Sequence, residues 1–170
     1  IVEVLPEGDL VFPLSQHIGA PAAPIVKVGD QVLKGQKIAE AGGFVSAPVY
    51  SSLSGKVKAI APYFTPTGGK VSSIIVENDG AYTEAERLST RPLEMLSKEE
   101  ILNLIAEAGI VGMGGAGFPT RVKLSPKEPE KIEYVIANCA ECEPYITADY
   151  RRMMENPDEL VEGMRVILKL

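Results

Sequence analysis

The chain has 170 residues, 45% of them apolar and 24% charged, with 17 basic against 23 acidic side chains and a net charge of −6. That balance suits a globular protein of one or two domains with room for a core. It shows no basic run that would mark a nucleic-acid partner, no apolar run near the roughly 18 residues of a membrane span, and no signal peptide.

Residues 1 to 80 read as an all-β domain. Short Val, Ile and Ala runs are broken every few residues by Gly, Pro, Asp or Ser, as in "VKVGDQVLKGQKIAEAGGFVSAPV", "SGKVKAIAPY" and "KVSSIIVEND". Val28-Gly29-Asp30 and Lys34-Gly35-Gln36 mark turns that flank Val32 and Leu33. The order "GDQVLKGQKI" resembles the biotinyl/lipoyl-type hammerhead, a barrel-sandwich hybrid whose hairpin carries a modified lysine. Between Ile38 and Gly55 this chain has no lysine, so no amine is available for acylation and the domain reads as a structural or docking module. His17, the sole histidine, reads as a hydrogen-bonded structural residue.

Residues 81–96 lack periodicity and read as a linker. The second half, 97–170, opens on Ser97 and Glu100 in capping-box spacing. Ile101, Leu104, Ile105 and Ala108 follow on one helical face, and Gly109 ends the helix. The run "GIVGMGGAGFPTRVK" comes next. Residues 132–138, "IEYVIAN", are apolar enough to predict a buried strand. Thr147 is placed to cap a short helix, and Asn156-Pro157 opens another with Leu160, Val161, Met164, Ile167 and Leu168 on one face. Helix, loop, strand and two helices suggest an incomplete α/β domain. The chain starts at Ile1 without Met and stops at Leu170 inside a periodic pattern, so it reads as a piece of a longer protein.

Two stretches concentrate chemistry. Gly112, Gly114 and Gly117 match G-x-G-x-x-G, but a helix rather than a strand precedes them and Pro119 follows at once, which is not the dinucleotide fingerprint. Glycine still lets a backbone approach a flat ring or a phosphate and aim its N–H groups there; a ligand-free connection is the other reading. The second stretch, "NCAECEPYITAD", holds Asn138, Glu141 and Glu143 just after the predicted strand, where ligands of open α/β sheets bind. A solvated turn accounts for the carboxylates equally well. Cys139 and Cys142 form a C-x-x-C with no second ligand pair, so no metal site is assigned. Two cysteines are also too few for a disulfide framework and fit a cytosolic setting.

Taken together, "PLSQHIGAPAAPIVKVGDQVLKGQKIAEA", "GIVGMGGAGFPTRVKLSP" and "ANCAECEPYITADYR" resemble the C subunit of the bacterial Rnf complex, a membrane-bound ferredoxin–NAD oxidoreductase. The second half is also similar to the FMN- and NADH-binding subunit of respiratory complex I. The resemblance implies a barrel-sandwich hybrid followed by an incomplete FMN/NADH-binding domain. It implies cofactor contacts by Gly112, Gly114, Gly115 and Gly117, by Phe118 beside the dinucleotide, by Lys123, Asn138 and Glu141 toward the flavin, and by Glu143 near the nicotinamide. Met113 and Ala140 stand where complex I has Arg and Asp, and the latter change removes one flavin contact. FMN and NAD(H) are the implied cofactors, with 4Fe-4S clusters bound only beyond Leu170. The implied partners are the other Rnf subunits and, indirectly, ferredoxin, with the chain peripheral on the cytoplasmic face of the membrane. A soluble relative feeding a cobalamin or amino-acid reductase stays open. So does a non-catalytic scaffold like the A subunit of sodium-pumping NADH–quinone reductase, as does a binding module made of the hammerhead alone.

Overall fold

The computed structural model describes residues 1–65, 68–89, 91–113 and 115–170. The first half carries the strands β1 (Leu10–Pro13), β2 (Ala23–Pro24), β3 (Gln31–Val32), β4 (Lys37–Glu40), β5 (Val49–Tyr50), β6 (Gly55–Phe64) and β7 (Lys70–Asn78). They form two antiparallel sheets, one ordered β1-β7-β6-β3 and the other β2-β4-β5. The long hairpin β6–β7 is the spine. Its register pairs Gly55 with Asn78 and Phe64 with Lys70, and slips once between Val57 and Ala59.

Alternation along these strands decides what is buried. Ile38 and Val49 from the smaller sheet meet Val57, Ile74 and Val76 from the larger, and Phe12 and Leu53 complete the same core. Both turns marked in the sequence form with side-chain support. Asp30 Oδ2 accepts from the Lys27 N–H at 2.9 Å, and Gln36 Oε1 accepts from the Leu33 N–H at 2.9 Å.

Segment 81–96 is irregular but stitched to the β half at its start. Tyr82 packs on the core, the Thr83 carbonyl accepts from the Lys34 N–H at 2.9 Å, and the Ala85 N–H donates to the Lys34 carbonyl at 2.8 Å. A short 3-10 turn, Leu93–Met95, then leads to helix α1 (Lys98–Glu107). The capping box is complete: Ser97 Oγ accepts from the Glu100 N–H, and Glu100 Oε2 accepts from the Ser97 N–H at 2.8 Å. Ile101 and Ile105 are the buried positions of α1. Gly109, at φ +67°, ends the helix as its position in the sequence predicts.

The remaining helices are α2 (Thr120–Lys123), α3 (Ala148–Glu155) and α4 (Pro157–Leu168), with Pro157 opening α4. The strand expected over 132–138 is absent. That segment runs as extended chain without a ladder, with Tyr134 81% and Ile136 86% exposed. Its apolar pattern has no neighbouring strand among the described residues to pair with, and a lone strand has no ladder to hold it. The apolar stripe of α4 is covered in part: Met164, Val166 and Ile167 are half-buried, Leu160, Val161 and Leu168 are exposed, and no residue of that helix is fully buried. Polar contacts add to its hold: Lys169 Nζ donates to the Leu93 and Glu94 carbonyls at 2.8 and 2.9 Å, and Arg165 pairs with Glu94.

Candidate functional site

The glycine loop is a closed loop on a narrow neck. Val111 and Pro119 form an antiparallel bridge, the Gly112 N–H donates to the Phe118 carbonyl at 2.9 Å, and the Thr120 N–H donates to the Ile110 carbonyl at 3.0 Å. The chain therefore leaves α1 and enters α2 through almost one point. On the side away from the β half the loop is bare at Gly112, Met113 and Gly115. Met113 is 96% exposed, a Cβ added at Gly115 would meet nothing within 4 Å, and one added at Gly112 would make only ordinary contact with the Phe118 backbone. Gly114 lies outside the described residues.

Two glycines of this run have a different use. At Gly109 an added Cβ would come within 3.1 Å of the Pro48 carbonyl oxygen and of the Tyr50 ring. At Gly117, φ is +61° and an added Cβ would lie 2.8 Å from the Gln16 carbonyl oxygen and 2.9 Å from His17 Cα. Both are points where the loop presses against the β half, and both need a residue with no side chain.

The loop foot meets a cleft of about 250 Å³, lined by Phe44, Ala47, Pro48, Glu107, Ile110, Pro119 and Arg121 among others. One edge is held by Glu107, which pairs with Lys37 through its carboxylate and accepts from the Tyr50 hydroxyl through its carbonyl. The bond to Glu107 holds the Lys37 ammonium above the usual lysine range, and burial pushes the Tyr50 phenol up, so both keep their protons and this edge is unchanged across neutral pH. Phe118 is half-exposed, and Lys123 stands exposed on α2.

The residues of the second stretch lie elsewhere. Asn138, Glu141 and Glu143 are not among the lining of that cleft. Asn138 Oδ1 accepts from the Ala140 N–H at 3.1 Å and builds a local turn. Glu141 Oε2 accepts from the Asp149 N–H at 3.0 Å and lies 3.4 Å from the Tyr150 nitrogen, so it caps α3. This corrects the expected role of Thr147, which occupies the cap position but makes no side-chain cap bond. A carboxylate upstream of that position can reach the same orphan N–H groups and adds a favourable charge at the helix N-terminus. Glu143 and Cys142 are exposed, and the two cysteines are free thiols. Asn138 and Glu141 thus bond within their own stretch, while the glycine loop bonds to the β half.

His17 is structural, as its sequence context predicts. It is 7% exposed, Nε2 lies 3.1 Å from both the Ala47 nitrogen and the Ala47 carbonyl oxygen, and Nδ1 lies 3.2 Å from the Ile18 carbonyl oxygen. Sequence reasoning missed the segment around it, because its contact with the loop spans about a hundred residues and leaves no local signal. The density of Gly and Pro in "HIGAPAAP" is the one hint of close backbone packing.

Among the described residues no helix is long and apolar enough to cross a membrane, and no cluster of His, Cys, Asp and Glu is arranged to hold a metal.

Two family patterns match the chain. Residues 1–81 match the RnfC barrel sandwich hybrid domain, and residues 105–170 match the Nuo51 FMN-binding domain. The chain is 51% identical over 99% of its length to the C subunit of the proton-translocating ferredoxin:NAD(+) oxidoreductase complex of Clostridium ljungdahlii, and spans 37% of that protein. It is 44% identical over 94% of its length to the C subunit of the Na(+)-translocating ferredoxin:NAD(+) oxidoreductase complex of Acetobacterium woodii, spanning 36% of it. It is 42% identical over 99% of its length to the C subunit of the ion-translocating oxidoreductase complex of Rhodobacter capsulatus, spanning 33%. The chain thus covers about a third of the length of these relatives. On the two matched domains and this shared sequence, the chain belongs to the family of C subunits of ion-translocating ferredoxin:NAD oxidoreductase (Rnf) complexes.

Proposed function

We propose that this chain is the part of an Rnf-type C subunit that receives FMN and NAD(H) and joins them to the rest of an electron-transfer complex. Its working units are a β-module (1–80), a connecting segment (81–96) and the beginning of a flavin domain (97–170). The observation that carries this reading is the bare loop crown on a fixed neck. Gly112 and Gly115 offer backbone with no side chain in the way, so a planar ring can lie against it. Its position in the Nuo51 FMN-binding match supports the same reading.

The residues fit the flavin in part. Gly112, Gly115, Phe118 and Lys123 would hold it at the loop, with the exposed Lys123 ammonium available to a phosphate or ring oxygen. Asn138 would reach it from the second stretch, and Glu143 would stand near the nicotinamide. Gly117 and Glu141 already serve the packing of the loop and the capping of α3, and we assign them to those tasks first. When bound, FMN would exchange a hydride with NAD(H) and pass electrons singly to iron–sulfur centres. The chain's own task is to keep side chains out of the space where two rings must stack at close range. We place the protein peripherally at the cytoplasmic face of the membrane, with the other subunits of the complex as partners and ferredoxin as the indirect one.

The test uses the full-length protein. Gly115→Val has open space in this structure, so the protein itself tolerates it; flavin retention after gel filtration should nevertheless be lost, because the side chain takes the ring's place. Glu143→Gln should keep flavin and slow NADH oxidation with ferricyanide. Normal flavin content and turnover in Gly115→Val would reduce the loop to a structural connection and favour the scaffold reading.

A further inference from the structure

The glycine loop is closed at its neck by its own backbone bonds and is also fastened to the β-module at both ends. At one end, Gly109 sits against Pro48 and Tyr50, and Tyr50 reaches on to the Glu107 carbonyl. At the other end, Gly117 lies on the backbone of Gln16 and His17, and the Ile18 N–H donates to the Ala116 carbonyl at 2.9 Å. Residues 16–18 are therefore the seat of the loop.

That seat depends on one side chain. The His17 ring bridges Ala47 and Ile18: Nε2 lies 3.1 Å from both the N–H nitrogen and the carbonyl oxygen of Ala47, and Nδ1 lies 3.2 Å from the Ile18 carbonyl oxygen. Ile18 is the residue whose own N–H holds Ala116, so the ring fixes the residue that fixes the loop. The Ala47 strap is itself braced. The Ala20 N–H donates to the Val45 carbonyl at 2.9 Å, and Ser46 Oγ accepts from the Gly42 N–H at 2.9 Å. Loop, seat, imidazole and strap form one continuous hydrogen-bonded stack.

We propose that His17 is a positioning residue for the glycine loop, and that the β-module's role in this chain is to hold that loop in the geometry its ligand requires. This rests on the flavin reading of the loop for its purpose, but not for its test. In the full-length protein, His17→Ala should speed hydrogen exchange about tenfold at the bonded amides of 110–119, Ile110 and Gly112, the scale of losing one buried hydrogen bond, while β6–β7 amides keep their protection. His17→Gln, whose amide oxygen can accept from the Ala47 N–H, should restore part of the protection. Gly117→Ala, whose methyl would press on the Gln16 carbonyl and His17 Cα, should push the loop off its seat and expose the Ile18 amide to exchange.

Unchanged exchange over 110–119 in His17→Ala overturns the proposal. If His17→Ala unfolds the β-module altogether, Gly117→Ala decides: an Ile18 amide as protected as in the parent overturns it. Flavin retention read in the same samples separates the two ideas. A loosened loop that keeps its flavin leaves His17 as the positioning residue and removes FMN from the loop. A loop of parent rigidity that loses flavin does the reverse.

Discussion

In the β-module Ile38, Leu53, Ile74 and Val76 are closed off from solvent, whereas in the helical half Tyr134, Ile136, Val161 and Leu168 stand in it. The two halves do not differ in their supply of apolar side chains. They differ in whether the chain brings a second surface to cover them. The β-module folds two sheets onto each other and closes its own core. The helical half buries Ile101 and Ile105 of α1 and fastens the rest with caps and ion pairs. Surface ion pairs contribute little each. Stability should therefore be concentrated in one half and the other should open easily.

The largest test of that contrast is Ile38→Ala. The side chain is fully buried between the sheets, so its loss should cost about 2–5 kcal/mol, read as a lower urea midpoint with the slope unchanged. A cost as small as that of a surface change would mean the module is loosely packed after all.

A smaller effect is expected at the joint between the halves. Ser97→Ala removes one arm of the capping box and should cost about 1 kcal/mol, seen as lost helicity in α1. The same cap responds to acid. The Ser97 N–H holds the Glu100 carboxyl below the usual glutamate range. A folded value below the unfolded one means the cap's contribution is present above the unfolded pKa and fades as pH falls through the folded one. Glu100→Gln should flatten that acid dependence; an unchanged pH profile would remove Glu100 from the cap.

Next in size is Glu141→Ala, which leaves the Asp149 and Tyr150 N–H groups to water. It should cost a few tenths to about 1 kcal/mol, confined to α3 and visible as faster exchange of those two amides. The smallest effect belongs to Val161→Ser on the open face of α4, expected within about 0.5 kcal/mol of the parent in this chain. A large loss there would show that α4 buries more than its exposure indicates, and the contrast between the halves would weaken.

Local signals were legible in the sequence. Ser97 with Glu100, Gly109 after α1 and Asn156-Pro157 before α4 each carry their own reason within a few residues, and each is found in place. The turns at 28–30 and 34–36 are likewise self-contained. The strand expected over 132–138 failed for the opposite reason. An apolar run records a demand for cover, and it cannot say whether the cover is present. Thr147 failed as a cap because a distal carboxylate, Glu141, outcompetes it, and distance along the chain hides such rivals. Gly117 belongs to the glycine motif and also packs against the β half. Its positive φ and its approach to Gln16 are facts of tertiary packing, which no local pattern encodes.

The narrow neck at Val111 and Pro119 has a consequence for how this protein can change over evolutionary time. Because the chain exits and re-enters through nearly one point, residues can be gained or lost in the crown ahead of the seated Ala116 and Gly117 without redirecting α1 or α2. Closing a longer loop costs only about 0.6 kcal/mol for each doubling of its length. Crown length is therefore the cheapest variable in the region, and homologues that need a different fit to their ligand can alter it by insertion or deletion while the surrounding fold stays fixed.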